Sequence, residues 1–217
     1  MKKRYLFLLI IFATVIASCS KDKIIDTHDR VGISKVTYYA NIILTGSPII
    51  SVIKGSAFTD PGVKADAGGA EVPVTTTGTV NTNEVGLYTL NYSATNADGY
   101  SSSASRIVVV IPSAELPGVD LSGTYVAVPV GTTPGPAQIS KVAAGVYYST
   151  DIWTGGAVIP GYFICTDGSS VSVPLQNTAY GGMLTESDGT YVNGLITWTV
   201  TLVDQGPFTA IKKWQKQ

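Results

Sequence analysis

The side chains that could form a nucleophilic or metal site are few. The sequence contains one histidine, His28, and two cysteines, Cys19 and Cys165. A cysteine or serine nucleophile needs a neighbouring base such as histidine to remove its proton. Because His28 lies in a charged N-terminal tether, we predict no Cys-His or Ser-His-Asp site, no histidine-rich metal site and no cofactor. Cys165 ends the apolar run Tyr162–Cys165, which predicts a small buried hydrophobe.

Paired carboxylates are the other catalytic chemistry to consider. A glycosidase needs two acidic side chains that face each other across a cleft. Asp167 and Asp188 each precede a glycine, so turn formation accounts for them. Asp151 and Glu186 remain as a possible pair, although their spacing does not show that they meet. We therefore predict a protein that is not an enzyme, with a glycoside hydrolase as the less favoured alternative.

Aromatic side chains are concentrated in the C-terminal half, and they suit sugar binding. Sugars stack their C–H faces on rings, and the polar tips of Tyr and Trp add hydrogen bonds. In the stretch Tyr147–Gly156, adjacent tyrosines point to opposite faces of a strand, so one can be exposed. The alternative is that the rings fill a core, which we expect for Trp198 because it lies on the apolar face of its strand. The candidate ligand-binding residues are Tyr147, Tyr148, Asp151, Trp153, Tyr162 and Tyr180.

The N-terminus has the layout of a secretory signal peptide. Lys2-Lys3-Arg4 precedes the uncharged run Tyr5–Ile16, which is too short for a spanning helix of ~20 apolar residues. Ile16-Ala17-Ser18-Cys19 resembles the lipobox of bacterial lipoproteins. The resemblance implies that a signal peptide of residues 1–18 is removed and that Cys19 carries acyl chains, which hold the protein to a membrane. The alternative is an ordinary signal peptide with an incidental cysteine.

The residues after Cys19 indicate a location. Ser20-Lys21-Asp22-Lys23 resembles the surface-export signal of Bacteroidota lipoproteins, which implies the outer membrane, facing outward. We assign residues 19–34 to the lipid anchor and a flexible tether, because charges there are frequent and apolar residues few.

The overall composition suits an extracellular all-β protein. Only 13% of residues are charged and the net charge is −1, so no basic stripe is available and nucleic acid is not an expected partner. The expected partners are the membrane, through Cys19, and a polysaccharide or another envelope protein.

The pattern of strands predicts two β domains. Strand-like runs recur at short spacing between turn signals, with no helical period. We predict an Ig-like β-sandwich over residues 35–112, a linker over 113–118 and an antiparallel β-meander or barrel-like domain over 119–217. The clearest strands are Gly86–Thr95 and Leu195–Asp204, where apolar and polar residues alternate. Further predicted strands are Val36–Leu44, Ile49–Ile53, Ser103–Ile111, Gly145–Trp153 and Phe208–Trp214, and the predicted hairpin turns are Asp98-Gly99, Asp167-Gly168, Asp188-Gly189 and Asn193-Gly194.

Two motifs in the first domain carry a family resemblance. Phe58-Thr59-Asp60-Pro61-Gly62, followed by the strand from Gly86 to Asn96, resembles the bacterial Ig-like domain that is also found in pesticidal crystal proteins. The resemblance implies a spacer or presentation module without an active site, in which Tyr88 plays a tyrosine-corner role.

The second domain carries a looser resemblance. Asp120–Tyr125 and Tyr147–Gly156, placed after an Ig-like domain, resemble a class of Bacteroidota surface lipoproteins often associated with polysaccharide utilisation. The function expected from these observations is glycan binding by the second domain. The alternative is an adhesive or envelope-assembly protein, and the exposure of the aromatic rings distinguishes the two.

Overall fold

The structure, a computed structural model, describes residues 30–31, 34–131, 135–206 and 208–217. The predicted signal peptide, Cys19, His28 and most of the predicted tether lie outside these residues. Within the described part, no helix has the length and apolarity needed to cross a membrane. The chain divides into two compact units, Met1–Tyr38 and Tyr39–Gln217.

In the described residues of the first unit, β1 (Arg30–Val31) pairs antiparallel with β2 (Ser34–Lys35) to form a small hairpin. This hairpin lies at the end of the predicted tether. No alternation of apolar residues marks it in the sequence, because it consists of two residue pairs without a core of its own.

The second unit begins with a sandwich of two sheets. Its strands are β3 (Asn41–Leu44), β4 (Ile49–Ile53), β5 (Val63–Ala67), β6 (Ala70–Glu71), β7 (Val74–Thr77), β8 (Gly86–Thr95) and β9 (Ser101–Ile111). One sheet has the order β3-β5-β6 and the other the order β4-β9-β8-β7. The β4–β9 pair is parallel and the other pairs are antiparallel. The predicted sandwich is confirmed, and Asp98-Gly99 lies in the turn between β8 and β9, as predicted.

Alternation along β8 places the sandwich core. Leu90, Tyr92 and Ala94 are buried, whereas the intervening Thr89, Asn91 and Ser93 are exposed. The predicted tyrosine corner is confirmed, because the Tyr88 hydroxyl donates a hydrogen bond of 3.0 Å to the Glu84 carbonyl, four residues upstream.

A buried arginine ties the turns of the sandwich together. The Arg106 guanidinium is fully buried, and its Nε lies 3.2 Å from Asp60 Oδ1. The Tyr92 hydroxyl accepts from Arg106 Nε at 3.2 Å and donates to Asp60 Oδ2 at 3.0 Å. The two Nη atoms donate to the backbone carbonyls of Ser47, Thr45 and Gly62 at 2.7, 2.8 and 3.1 Å. Asp60 is therefore both a turn residue and the counter-ion of a buried charge.

The remaining strands form a nearly closed antiparallel barrel, as the sequence predicts. They are β10 (Gly123–Ala127), β11 (Ala137–Ala143), β12 (Val146–Ser149), β13 (Gly161–Ile164), β14 (Ser170–Val171), β15 (Gln176–Thr178), β16 (Gly181–Thr185), β17 (Gly189–Val192), β18 (Leu195–Leu202) and β19 (Phe208–Lys216), with a 3-10 helix over Val203–Gln205. The strand path is β13-β12-β11-β10-β19-β18-β16-β15, and β17 joins β18 to β14.

The barrel interior is filled with side chains. Its largest fully buried members include Trp198, Trp214, Tyr125 and Phe163. The Tyr125 hydroxyl donates to the Leu121 carbonyl at 2.7 Å, which repeats the geometry of Tyr88 in a second sheet system. The predicted burial of Trp198 and Cys165 is confirmed, and burial raises the pKa of the Cys165 thiol.

The sandwich and the barrel share an apolar junction. Val109 and Ile111 on β9 lie on the face opposite the sandwich core, and they pack with Val146 on β12 and Ile164 on β13. The last strand of the sandwich is therefore apolar on both faces, because one face meets the sandwich core and the other meets the barrel.

The peptide between the two structures is held against the barrel. Glu115 forms an ion pair of 2.8 Å with Lys141 and accepts from the Tyr147 hydroxyl at 3.2 Å. The Leu116 amide donates to the Thr166 carbonyl at 2.8 Å. The predicted linker thus has fixed contacts along its length.

Some strand predictions differ from the structure. Residues 36–40 precede β3 and are not in a strand, and β12 ends at Ser149 rather than at Trp153. Asn193-Gly194 joins β17 to β18 with positive φ at both residues, as a type I′ hairpin requires. Asp188-Gly189 is not a hairpin turn, because the strands on either side of it, β16 and β17, both pair with β18 instead of with each other.

Candidate functional site

Two of the predicted tyrosines lie side by side on the outer wall of the barrel. Tyr148 and Tyr162 face each other across β12 and β13, with ring centroids 5.1 Å apart and planes tilted by 56°. Both side chains are half-buried. Because side chains alternate along a strand, their neighbours Tyr147 and Phe163 point into the barrel instead.

Tyr162 lines a groove between the sandwich and the barrel, which we call the junction groove. It has a volume of about 410 Å³. Leu87 and Thr89 on β8 and Ile107 on β9 form the sandwich wall, and the barrel wall is formed by Tyr162, Leu175, Gln176 and Asn177. Clefts between domains are a preferred place for ligands, and the volume lies within the range of small-molecule sites.

The amide of Gln176 fixes the backbone of Tyr162. Its Oε1 accepts from the Tyr162 amide at 2.8 Å, and its Nε2 donates to the Tyr162 carbonyl at 2.7 Å. These are the two bonds that a neighbouring strand would make, so a side chain joins β13 to β15, the two ends of the strand path. Reciprocal backbone bonds between Ile164 and Ser172, at 2.8 and 3.0 Å, extend the same seam.

The groove combines an aromatic wall with polar groups. Thr89 and Asn177 are exposed, so a hydroxyl and an amide face solvent beside the Tyr162 ring. Burial raises the pKa of Tyr162, and the neighbouring Tyr148 raises it further, so the phenol stays protonated and can donate a hydrogen bond. An aromatic face flanked by neutral donors and acceptors suits an uncharged, hydroxyl-rich ligand.

Tyr147 lies inside the barrel. Its ring stacks on Phe163 with a centroid distance of 5.3 Å, and its hydroxyl donates to Glu115 and to the Val119 carbonyl, both at 3.2 Å. Burial and the negative charge of Glu115 raise the pKa of Tyr147. A fully buried ring offers no face to a ligand, so Tyr147 packs the core and orders the linker.

Asp151 and Trp153 lie in the connection between β12 and β13, which folds into one end of the barrel. Asp151 is buried, and its Oδ1 accepts from the amides of Trp153 and Ile159 at 2.9 and 3.0 Å. Burial raises the pKa of Asp151 to about 6, against the lowering effects of these hydrogen bonds and of Lys212. The carboxylate thus holds the two ends of this connection together.

Lys212 completes this cluster from β19. Its Nζ lies 3.6 Å from the centroid of the Trp153 ring and donates to the Thr154 carbonyl at 2.6 Å. Burial lowers the pKa of Lys212, and Asp151 opposes that shift. Trp153 also contacts the exposed Phe208 ring at 5.6 Å. The cluster fastens the β12–β13 connection to the barrel by a cation–π contact and hydrogen bonds.

The six predicted ligand-binding residues do not form one site. Tyr148 and Tyr162 lie together at the junction groove, whereas Tyr147, Asp151 and Trp153 are buried in the barrel. Tyr180 is 41% exposed and lies between β15 and β16, outside the residues that line the groove. Sequence reasoning missed Thr89 and Asn177, because a groove between two sheet systems leaves no pattern along the chain.

The acidic pair considered for glycoside hydrolysis is separated by the barrel wall. Asp151 lies within the barrel, and Glu186 is exposed on the outer wall, where its Oε1 accepts from Thr201 at 3.3 Å. Among the described residues, no group of three or more His, Cys, Asp and Glu side chains is placed to hold a metal ion.

Comparisons with known proteins agree with the first part of the chain. Residues 42–110 match the family model of the Ig-like domain of bacterial surface proteins. The crystal structure of a lipoprotein from Bacteroides thetaiotaomicron matches with 25% sequence identity and a TM-score of 0.42, covering 82% of this chain and 100% of the lipoprotein. No curated protein matches the chain.

Proposed function

We propose that this chain, whose residues 42–110 match a bacterial surface Ig-like domain, is a lipid-anchored outer-membrane protein that binds a polysaccharide in the junction groove. The observation that carries the proposal is the half-buried Tyr162 ring in the wall of a groove that also presents Thr89 and Asn177, with the Tyr162 backbone held by Gln176. Binding uses ring stacking and hydrogen bonds, without a cofactor.

The proposed anchor rests on the N-terminal sequence. The lipobox-like Ile16–Cys19 supports acylation of Cys19, and Lys21-Asp22 supports display on the outer face of the outer membrane. Growing cells with radiolabelled palmitate tests the anchor. Label is expected on the wild-type protein and not on a Cys19→Ala variant, and a wild-type protein without label would refute it.

We propose further that this protein is not an enzyme. The separation of Asp151 from Glu186 supports this, because two carboxylates on different sides of a wall cannot flank one glycosidic bond. Incubation of the protein with each polysaccharide that it binds, followed by analysis of reducing ends, tests it. New reducing ends that a Glu186→Gln variant fails to produce would refute it.

Affinity electrophoresis of residues 20–217 in gels that contain polysaccharides tests the groove. We expect retention by at least one polysaccharide, loss of retention in Tyr162→Ala, and unchanged retention in the matched control Tyr180→Ala, whose exposed tyrosine lies outside the groove. Tyr162→Phe keeps the ring and its packing, so it should retain most binding. Circular dichroism checks that each variant is folded. Equal retention of all four proteins would refute binding at this groove.

A second candidate function, docking to another envelope protein, is favoured by one end of the barrel. The connections at the end where β10, β12, β15 and β18 finish expose apolar side chains, notably Val130 at 81% and Val158 at 51%. Phe208, the first residue of β19, is 54% exposed at the same end. Asp204 is the one exposed charged residue on the described parts of these connections. An exposed apolar patch of low charge marks many protein interfaces.

Site-specific photo-crosslinking in cells tests this second candidate. A crosslinker at position 130 should capture one discrete envelope protein, whereas a crosslinker at the exposed Lys54 of the sandwich should not. A Phe208→Glu substitution should abolish the product at position 130. A product that is equally strong at both positions would contradict docking through this end.

A further inference from the structure

The junction groove does not end at Asn177. A second cavity of about 280 Å³ adjoins it, and Leu175 lines both. A third cavity of about 240 Å³ follows, and it shares Ile164, Ser172 and Asp188 with the second. Val85 and Pro112 border these cavities on the sandwich side. Because each cavity shares lining residues with the next, the three cavities lie in series along the junction.

The charge of the lining residues is one-sided. Glu186 and Asp188 line the second cavity, and Asp167 and Asp188 line the third. The residues that line the three cavities include no lysine or arginine. A ligand that lies along this path therefore meets a neutral aromatic end and an acidic end.

Asp167 remains ionised at neutral pH. Burial raises its pKa, but hydrogen bonds from the amides of Ser170 and Ser169, at 2.7 and 2.8 Å, outweigh that effect and hold the pKa at about 2. Its Oδ1 is occupied by these bonds, so its negative charge acts on a ligand mainly as a field.

We infer, resting on the proposed function, that the continuous groove binds a neutral polysaccharide lengthwise and that Asp167, Glu186 and Asp188 exclude polyanionic chains. A neutral chain brings hydroxyls that donate to the carboxylates and aliphatic ring faces that lie on Tyr162 and Leu175. A chain with carboxylate or sulfate groups would place like charges together, with no lysine or arginine among the lining residues to compensate. The acidic residues thus select against negatively charged ligands, and the aromatic end of the groove contributes ring stacking.

Affinity electrophoresis with matched polymers tests this inference. The probes are laminarin, xyloglucan, amylopectin and yeast mannan, each beside its carboxymethylated form. We expect at least one neutral polymer to retain the protein and its carboxymethylated form to be bound at least tenfold more weakly at low salt. The variant Asp167→Asn/Glu186→Gln/Asp188→Asn should narrow this difference by about three- to tenfold, because exposed charge contacts contribute modestly and are screened by salt.

The control variant carries Asp66→Asn, Glu71→Gln and Asp98→Asn on the sandwich, which is the same change in net charge away from the groove. It should leave the preference unchanged. Isothermal titration with oligosaccharides of the retained polymer adds a second readout, in which affinity should rise with chain length beyond the disaccharide.

The outcomes separate the two proposals. If no polymer retains the protein, the proposed function fails and this inference with it. If a polymer binds through Tyr162 but its carboxymethylated form binds equally well, or the control variant changes the preference as much as the groove variant, or a disaccharide binds as tightly as a longer chain, the proposed function stands and this inference is overturned.

Discussion

The seam closed by Gln176 gives a prediction that joins stability to the candidate site. Gln176→Ala removes the hydrogen bonds of 2.8 and 2.7 Å that pair with the amide and carbonyl of Tyr162, and a longer one of 3.3 Å to the Pro174 carbonyl. The amide and carbonyl of Tyr162 then lack their partners. A buried polar group left unpaired costs about 1–3 kcal/mol. For two such groups the range is about 2–6 kcal/mol. Because the open groove lets water reach this part of β13, we expect a value near its lower end, a loss of about 2–3 kcal/mol in the free energy of unfolding.

Urea denaturation of residues 20–217 measures this loss. Hydrogen exchange gives a local readout, since the Tyr162 amide should exchange faster in the variant. The exchange rate of the Val200 amide, at the centre of β18, should change only as far as the global free energy of unfolding changes. Gln138→Ala is the matched control. Gln138 is exposed and accepts one bond of 3.1 Å from Thr124, so its replacement should cost less than about 0.5 kcal/mol.

A Gln176→Ala variant as stable as the Gln138→Ala control would show that the side chain does not stabilise the seam. The same conclusion would follow if the Tyr162 amide kept its wild-type exchange rate. A variant that is destabilised as expected should bind the retained polysaccharide more weakly in the gel assay, because Tyr162 then loses its fixed position.

Three further predictions concern the cores. Arg106→Met should lower the free energy of unfolding, measured with urea, by about 3–5 kcal/mol, because Asp60 loses its counter-ion and three backbone carbonyls lose their hydrogen-bond donors. A loss below about 1 kcal/mol would contradict a stabilising role of the buried network. Burial raises the pKa of Asp151 from its ordinary value of 3.8 to about 6 in the folded state, so the folded state binds the proton more tightly than the unfolded state. The contribution of Asp151 to stability is therefore greatest below about pH 4 and is lost as the pH rises through about 6. Urea unfolding across pH 4 to 7 should show a weaker decline in stability for Asp151→Asn than for wild type, and parallel pH curves would contradict this. Gly189→Ala should cost about 1–3 kcal/mol in the same assay, because its Cβ would lie 2.5 Å from the Thr197 carbonyl oxygen and 2.7 Å from Trp198 Cβ; unchanged stability would show that β18 can shift.

Periodic strands were predictable from the sequence. Gly86–Thr95 and Ile49–Ile53 have the predicted bounds in the structure, because alternation or a short apolar run reports burial directly. The Asn193-Gly194 hairpin was predictable for a local reason, namely the positive φ angles that its turn requires. The stretch Tyr147–Gly156 was harder to interpret. Its apolar residues beyond Ser149 are buried in a connection that folds into the barrel. Burial of a connection does not produce the alternation of apolar and polar residues that marks a strand.

The site could be predicted only in part. Residue type identified Tyr148 and Tyr162 as aromatic candidates, but it identified the buried Tyr147 and Trp153 equally well. Residue type does not show which side chains are exposed, because exposure depends on which way each side chain faces in the fold. The walls of the groove come from β8 and β9 of the sandwich and from β13 and β15 of the barrel, which are distant in sequence. Gln176 joins β13 to β15 through bonds that no local sequence motif predicts. The network of Arg106 was missed for the same reason, since its partners are backbone carbonyls of remote turns.

The parallel pairing of β4 with β9 has a mechanical consequence. The chain enters the sandwich before β4 and leaves it after β9, towards the barrel, and the two strands run in the same direction with Ile49 opposite Ile107 and Ile53 opposite Ile111. Tension between Pro48, just before β4, and Pro112, just after β9, pulls these strands along their length in opposite directions, so their hydrogen bonds bear load together rather than opening one by one. A force that pulls the barrel away from the start of β4 would therefore load this strand pair in shear.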